Sequence, residues 1–430
     1  MKKKKIVIFP VSKINGEINL PGSKSISNRV LLLSSLSEGK TVLKNFLFSE
    51  DTKYMLEAFK KIGIPLNINK KKKTLKILGS KNFFKNKKTA LFLGNAGTAI
   101  RPLTAIFSLY KNNVELNGNA RMNCRPIKHL VNSLIEGGAD IYYKNINGYP
   151  PIIIKGGFSG GKIFIDGKIS SQFLTSLLIA CPLAKNNTEI FIKNDLVSKP
   201  YVDLTIRIIR KFGIKIINNN YSYFNISGNQ NYISPKKFLI EGDASSASYF
   251  FAAAAIKGGE IKVRGIGENS IQGDIKFLKI LKKMGAIVRT KNNTISVKRK
   301  TLKCINLDMN NMPDVAMTVA ILGLFSNGQT VIKNIYNWRV KESDRLSAMS
   351  TELKKVGAIV EEGIDFIKII PPKKFISSII NTYDDHRIAM CFSLVALSGV
   401  KITILNPECV KKTFPKYFKK FFSVISFKTE

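Results

Sequence analysis

Acidic residues are scarce in this chain: 29 Asp plus Glu stand against 69 Lys plus Arg, a formal net charge of +40 over 430 residues. That excess puts a strongly positive potential over the surface and points to anionic partners. It does not single out nucleic acid, because the lysines are scattered, with runs only at Lys2 to Lys5 and Lys70 to Lys73, and no reader motif accompanies them. The aromatic residues fall in apolar helical stretches and do not alternate with basic ones along a strand. Lysine, asparagine and isoleucine are abundant everywhere, loops included, which is what base-composition bias produces on a tolerant surface. Charge alone names no function.

Cysteine is equally uninformative as a framework. Cys124, Cys181, Cys304, Cys391 and Cys409 lie far apart, odd in number and without CxxC spacing, so neither disulfide pairing nor a zinc site is indicated. No metal and no cofactor are expected. Long apolar runs are missing as well. Four lysines precede only Ile6 to Phe9 before Pro10, too short for a secretory signal. The run around Leu177 stops at Pro182, well short of the roughly 20 residues a membrane helix needs. A cytoplasmic protein without membrane contact is expected.

What the chain has in quantity is apolar material, 44% hydrophobic and 10% aromatic, enough to exclude disorder despite the charge. Its length exceeds what one core normally supports, so two domains are expected. One pattern also recurs six times, each copy a small or polar cluster, an apolar helix, a β-branched strand, a second helix and a further strand. The strands read TVLKNF from Thr41, VELNGN from Val114, EIFIKND from Glu189, EIKVRGIG from Glu260, TVIKNIY from Thr330 and KITILNPE from Lys401. The second helices are expected from Asp51, Arg125, Lys199, Gln272, Lys341 and Lys411, and five of them run into a Gly suited to a left-handed stop. Copies roughly 60 to 70 residues apart suit a complete βαβ-type unit, three to a domain, with the break near Glu241-Gly242-Asp243 and a second hinge near Pro21-Gly22.

The first helices open on SKSISNR (Ser23), NAGTAIR (Asn95), SSQF (Ser170), DASSAS (Asp243), DVAMT (Asp314) and DDHR (Asp384). Such residues cap helices, and helix starts present N–H groups and the positive end of the dipole to anions. One would be ordinary capping. Six in register, several followed by Arg or Lys, point to an anion site.

LPGSKSISNR (Leu20 to Arg29) and LFLGNAGTAIRP (Leu91 to Pro102) resemble signatures of the 5-enolpyruvylshikimate-3-phosphate synthases, and the likeness continues through SSQFLTSLL, DLVSKPYVD, EGDASSASYF, NWRVKESDRL, YDDHRIAM and KKTFP. The resemblance implies an α/β (α+β) fold of two similar domains, each an inside-out prism of three βαβαββ-type repeats, with the active site in the cleft between them. Residues 1–22 and 242–430 would form one domain and 23–241 the other. It also implies transfer of the enolpyruvyl group of phosphoenolpyruvate to the 5-hydroxyl of shikimate 3-phosphate, on the route to chorismate and aromatic amino acids, by a monomer whose partners are these small anions.

Carried residue by residue, the resemblance nominates Asp314 as general base, Glu342 as the carboxylate exchanging protons with the reacting carbon, and Lys341 and Lys24 as further catalytic groups. An isolated Asp after Pro313 would instead be a cap, and an isolated KESDR a solvated first turn. Shikimate 3-phosphate is assigned to Lys24, Ser25, Arg29, Ser170, Ser171, Gln172, Ser198, Tyr201, Asp314, Asn337 and Lys341. Arg29 stands five residues after Lys24, so loop geometry is expected to bring both to one ligand. Phosphoenolpyruvate is assigned to Lys24, Gly97, Arg125, Gln172, Arg345, His386, Arg387 and Lys412, guanidinium forks suiting both its phosphate and its carboxylate. His129 reads as a partly buried helix residue. Gly97 and Pro102 match the pattern of glyphosate-sensitive members. The related transferase acting on UDP-N-acetylglucosamine places a loop cysteine where this chain has Ala120, and Cys124 stands instead directly against Arg125. That activity and nucleic-acid binding are the alternatives.

Overall fold

The structure, a computed structural model, describes residues 4–427. The chain divides into two compact units, one of Gly22–Ile240 and one of Met1–Pro21 with Glu241–Glu430.

In the unit Gly22–Ile240 each repeat builds one four-stranded sheet. Lys237–Leu239 lies parallel to Gly39–Lys44, which pairs antiparallel with Thr74–Gly79, itself antiparallel to Leu66–Asn69. The same order recurs in Lys88–Phe92, Asn113–Asn117, Ile152–Gly156 and Asp140–Tyr143, and again in Gly161–Asp166, Thr188–Lys193, Tyr223–Ile226 and Ile217–Asn219. The other unit repeats it with Gly16–Asn19, Glu260–Arg264, Thr294–Lys298 and Ile287–Lys291, then with Asn306–Asp308, Thr330–Lys333, Ile367–Ile370 and Ile359–Glu362. The sixth sheet has three strands, with Lys5–Ile8 taking the antiparallel place beside Ile402–Leu405 and Ser378–Ile380 the parallel one. Strands such as Thr74–Gly79 alternate buried and exposed positions, so each sheet turns one face inward and one to solvent.

The inward faces cover helices that are buried almost all round. These are α1 (Lys24–Leu36), α3 (Gly97–Phe107), α5 (Ser171–Ala180), α7 (Ala244–Lys257), α9 (Pro313–Gly323) and α11 (His386–Ser393). Every residue from Ala244 to Ile256 of α7 is buried, as expected of a helix without a polar face. The second helices are α2 (Glu50–Lys61), α4 (Lys128–Glu136), α6 (Lys199–Lys211), α8 (Phe277–Lys283), α10 (Arg345–Lys355) and α12 (Tyr417–Phe422). Five of them are followed by a glycine at positive φ (Gly63, Gly138, Gly213, Gly285, Gly357), where a side chain would be strained.

Several second helices begin later than the sequence suggests. Asp344 accepts the Ser347 N–H at 3.1 Å and so starts α10 at Arg345, leaving Lys341 and Glu342 in the turn before it. Tight 3₁₀ turns at Gly273–Lys276 and Pro407–Lys412 precede α8 and α12, and α4 waits until Lys128, beyond Pro126. Prolines and capping acids, which periodicity does not register, set these boundaries.

Among the described residues no helix is long and apolar enough to cross a membrane, and no cluster of His, Cys, Asp and Glu could hold a metal ion.

Candidate active site

Four of the six inner helices carry the side-chain cap expected of them. Ser23 accepts from Ile26 N–H at 3.5 Å, Ser170 from Gln172 at 3.3 Å, Asp243 from Ser246 at 2.7 Å and Asp385 from Arg387 at 2.9 Å. The other two differ. Helix α3 starts after Ala96 and α9 after Met312, neither with a side-chain cap. Asn95 and Asp314, read as cap-like from the sequence, face arginines instead, because a buried guanidinium is the stronger partner for an amide or carboxylate oxygen. In DDHR the cap is Asp385, with Asp384 just ahead of it at φ 56°.

In the unit Gly22–Ile240, three side chains converge on Gly97 in the first turn of α3. A Cβ built there would lie 2.5 Å from Arg101 Nη1, 3.0 Å from Gln172 Oε1 and 3.1 Å from Arg125 Nη2. Glycine is required by this approach and not by its backbone angles. Arg101 donates to Gln172 Oε1 and to the Pro126 carbonyl at 3.2 Å, and its guanidinium lies 5.3 Å from the Phe173 ring centre. Arg125 donates to Asn95 Oδ1 at 2.8 Å and to the Asn95 carbonyl at 3.3 Å. Both arginines are 3% exposed, in a chain whose cations are mostly at the surface. Cys124, next to Arg125, is exposed. His129 of α4 is half-buried and stacks on Phe173 with ring centres 5.9 Å apart.

Lys24 opens α1 and places Nζ 3.3 Å from Asp51 Oδ2. Arg29 belongs to the same helix, so no loop relates the two. Long helical side chains lean toward the N-terminus, and Arg29 accordingly donates back to the Ser25 carbonyl at 3.0 Å while Nε reaches Thr205 Oγ1 at 2.8 Å and Nη2 reaches Thr175 Oγ1 at 3.4 Å. It ties α1 to α5 and α6. Burial lowers its pKa to about 10, partly opposed by Tyr201. Ser170, Ser171 and Gln172 open α5, while Ser198 stands before α6 in a left-handed conformation with Tyr201 one turn on. A small cavity of about 10 Å³, room for about one water, is lined by Asn28, Arg29, Thr98, Pro102, Gln172 and Thr175.

The other unit holds a chain of charges centred on Arg345, which is 1% exposed. Its Nε lies 2.8 Å from Asp385 Oδ2, Nη2 2.8 Å from Glu342 Oε2 and Nη1 3.2 Å from Asp314 Oδ1. Asp314 Oδ2 is 2.6 Å from Arg387 Nη2, and Glu342 Oε1 is 4.0 Å from Lys412 Nζ. Arg345, Arg387 and Lys412 thus balance Asp314, Glu342 and Asp385, the condition under which buried charges are tolerated. Burial disfavours the Arg345 cation, yet Asp385, Glu342 and Asp314 outweigh it and drive the pKa upward. His386 is buried with Nδ1 3.6 Å from Asp385 Oδ1. Asn337 is buried on the 3₁₀ turn Tyr336–Val340, and Lys341 follows it, half-exposed. Trp338 of that turn donates to the Pro313 carbonyl at 2.8 Å and pins the start of α9.

Sequence reasoning missed four residues here. Arg101 lay inside the quoted GNAGTAIRP and Asp385 inside DDHR, so position in a motif could have found them. Tyr249, whose hydroxyl accepts from Arg387 Nη1 at 3.2 Å, lay inside the quoted EGDASSASYF, while Asp274, which accepts from Ser245 Oγ, carried no signal beyond its repeat. Burial, with the Asp314 charge second, pushes the Asp274 carboxyl up to about 6 from 3.8. The folded state therefore holds that proton more tightly than the unfolded chain does, so this contribution to stability is full below about pH 4 and is lost as pH rises through about 6. Asp274→Asn should accordingly gain on the wild type by on the order of 1 to 2 kcal/mol on passing from about pH 4 to about pH 7. Urea midpoints at both pH values test it, and an equal difference at both would count against the assignment.

Residues 8–421 match a family model described as EPSP synthase (3-phosphoshikimate 1-carboxyvinyltransferase). A protein named 3-phosphoshikimate 1-carboxyvinyltransferase from Buchnera aphidicola subsp. Cinara cedri is 61% identical over 421 residues, covering 97% of each chain. Its namesake from Xenorhabdus nematophila is 55% identical over 416 residues, covering 96% of this chain and 97% of that one. A solved structure titled as EPSP synthase from Acinetobacter baumannii superimposes with a TM-score of 0.83 at 28% identity, covering 98% of both chains.

Proposed function

The chain belongs to the EPSP synthase family, and from that premise we propose that it transfers the enolpyruvyl group of phosphoenolpyruvate to the 5-hydroxyl of shikimate 3-phosphate, releasing phosphate. The observation that carries the reading is the pairing of two carboxylates, Asp314 and Glu342, on one buried guanidinium, Arg345, inside a chain matched by this family over almost its whole length.

The reaction needs a proton on the methylene carbon of phosphoenolpyruvate while the 5-hydroxyl oxygen bonds to the neighbouring carbon. The product is a tetrahedral ketal phosphate. Breaking its C–O bond to phosphate and removing a proton from the new methyl group restores the double bond. Asp314 takes the hydroxyl proton, which departs with the phosphate, and Glu342, entering the reaction protonated, delivers and later recovers the proton at carbon, with Lys341 adjacent in sequence. Arg345, with three nitrogens already facing Asp314, Glu342 and Asp385, acts mainly by fixing those carboxylates. Arg387 and Lys412 supply cations for the anionic substrate in that unit. In the other, Arg125 and Gln172 around the start of α3, joined by Arg101, suit a phosphate or carboxylate, and Lys24 at the start of α1 is assigned to the same ligands. Ser25, Arg29, Ser170, Ser171, Ser198, Tyr201 and Asn337 are assigned to shikimate 3-phosphate, Arg29 chiefly by holding α1, α5 and α6 in place. His386 supports from behind Asp385. We take the protein to be a cytoplasmic monomer.

Phosphate release by the purified chain tests the reading. Release is expected only when both substrates are supplied together. Release with phosphoenolpyruvate and UDP-N-acetylglucosamine, and none with shikimate 3-phosphate, would overturn it.

Glyphosate should inhibit the wild-type enzyme. Gly97→Ala should weaken phosphoenolpyruvate binding about tenfold or more, since a methyl group displaces Arg101, Gln172 and Arg125 together and one charged hydrogen bond is worth about 1.5 to 3 kcal/mol. Inhibition by glyphosate should weaken too. Equal inhibition of both proteins would show that Gly97 does not border the anion.

A further inference from the structure

The solvent face of the sheet built on Glu260–Arg264 carries an arrangement with no part in the proposed reaction. Register sets Lys262 opposite Ser296 and Arg264 opposite Thr294, and sets those two opposite Arg289 and Lys291 on the next strand. Two cations on each side therefore border a central pair of hydroxyl residues. With strands about 4.8 Å apart and same-face residues about 7 Å apart along each, the four cations mark the corners of a patch roughly 10 by 7 Å. The same residues line an open groove of about 560 Å³ whose end is closed by the Asn292-Asn293 turn.

General surface basicity does not account for this block. Only twelve of the 69 basic residues are arginine, and five of those (Arg29, Arg101, Arg125, Arg345 and Arg387) are buried. Two of the remaining seven, Arg264 and Arg289, stand at diagonal corners of this groove. Two carboxylates border it on this face, Glu17, whose Oε1 lies 2.5 Å from Arg264 Nε, and Glu260, which meets Lys298 Nζ at 3.2 Å and hydrogen-bonds Ser296, and the four cations leave the groove net positive. Guanidinium forks bind phosphoryl oxygens in pairs, and hydroxyls add donors between them. A chain of two or three phosphoryl groups is long enough to meet both rows of cations at once.

We propose that this groove binds a short oligophosphate chain, either free or as the tail of a nucleotide. It is a site separate from the reaction proposed above and stands whether or not that reading does. Calorimetric titration of the full chain with inorganic triphosphate near physiological salt should give one saturable equivalent. Arg289→Ser combined with Lys291→Ser should weaken it at least tenfold. Lys44→Ser combined with Lys76→Ser, an equal charge loss on the solvent face of the first sheet, should change it less than twofold. ATP binding as well as inorganic triphosphate identifies the phosphate chain as the recognised group, and tighter ATP binding identifies a nucleotide. Equal weakening by both double variants would reduce the effect to diffuse charge and overturn the proposal. So would AMP binding as tightly as ATP, or saturable binding of single-stranded RNA without any of triphosphate.

Discussion

Asp314→Asn will lower turnover by about 10²- to 10⁴-fold, the range lost when a positioned general base is removed. Asparagine keeps the shape and one oxygen acceptor, enough for Arg345 Nη1 or Arg387 Nη2 but not for both, which the native carboxylate meets through separate oxygens at 3.2 and 2.6 Å. What it loses is the charge and the ability to take a proton. The variant should stay folded by circular dichroism, with the Michaelis constant for shikimate 3-phosphate changing far less than turnover. A purely structural role for Asp314 predicts the reverse, a stability loss with turnover per folded molecule preserved. The pH profile separates the two, because the acid limb that reports the base should disappear only if Asp314 is that base.

Arg345→Ala should cost about 3 to 5 kcal/mol of folding stability, the penalty for stranding buried charges and more than most single substitutions cause. The effect comes from what remains: Asp385 is fully buried, Glu342 nearly so, and Asp314 loses one of its two arginines while keeping Arg387. Arg345→Lys should recover a minority of the loss, because an ammonium cannot present three donors to three carboxylates in a fixed plane. Urea unfolding followed by circular dichroism measures both variants, and a loss below about 1 kcal/mol for the alanine variant would contradict the charge balance described for this cluster. Raising the salt should change the difference little, since screening acts weakly on buried pairs.

The repeat architecture was legible because each copy carries its own local signals. The six quoted strands are the central strands of the six sheets, from Gly39–Lys44 to Ile402–Leu405, and each could be read from β-branched runs bounded by turn residues. The glycines that end five second helices were equally readable, since a left-handed stop is a property of one residue. Two of the parallel edge strands were not. Lys237–Leu239 joins the sheet of Gly39–Lys44, and Gly16–Asn19 joins that of Glu260–Arg264, pairings across about 200 residues or more that leave no trace in local pattern.

For the candidate site, motif recognition found Asp314, Glu342, Arg345 and Arg387 but assigned capping duties to positions that do not cap. Asn95 serves Arg125, and Asp314 serves Arg345 and Arg387. A cap and an ion-pair acceptor use the same residue types, so the choice depends on which guanidinium arrives, and that is decided elsewhere in the chain. Asp274 could not be seen at all, and Tyr249 stood in a quoted motif without a role, because an acid and a phenol acquire unusual pKa values only from burial and neighbours.

By itself the sequence determined the kind of unit, its sixfold repetition and the family to which it belongs, since these rest on periodicity and on residues adjacent in the chain. Only the tertiary structure decided which charges meet: that Arg345 holds three carboxylates, that Arg101 and Gln172 close on Gly97, and that Arg29 turns inward to bind three helices together. The physical reason is range. Propensity and capping act over a few residues, whereas a buried ion pair joins positions tens to hundreds of residues apart and exists only once packing has excluded water.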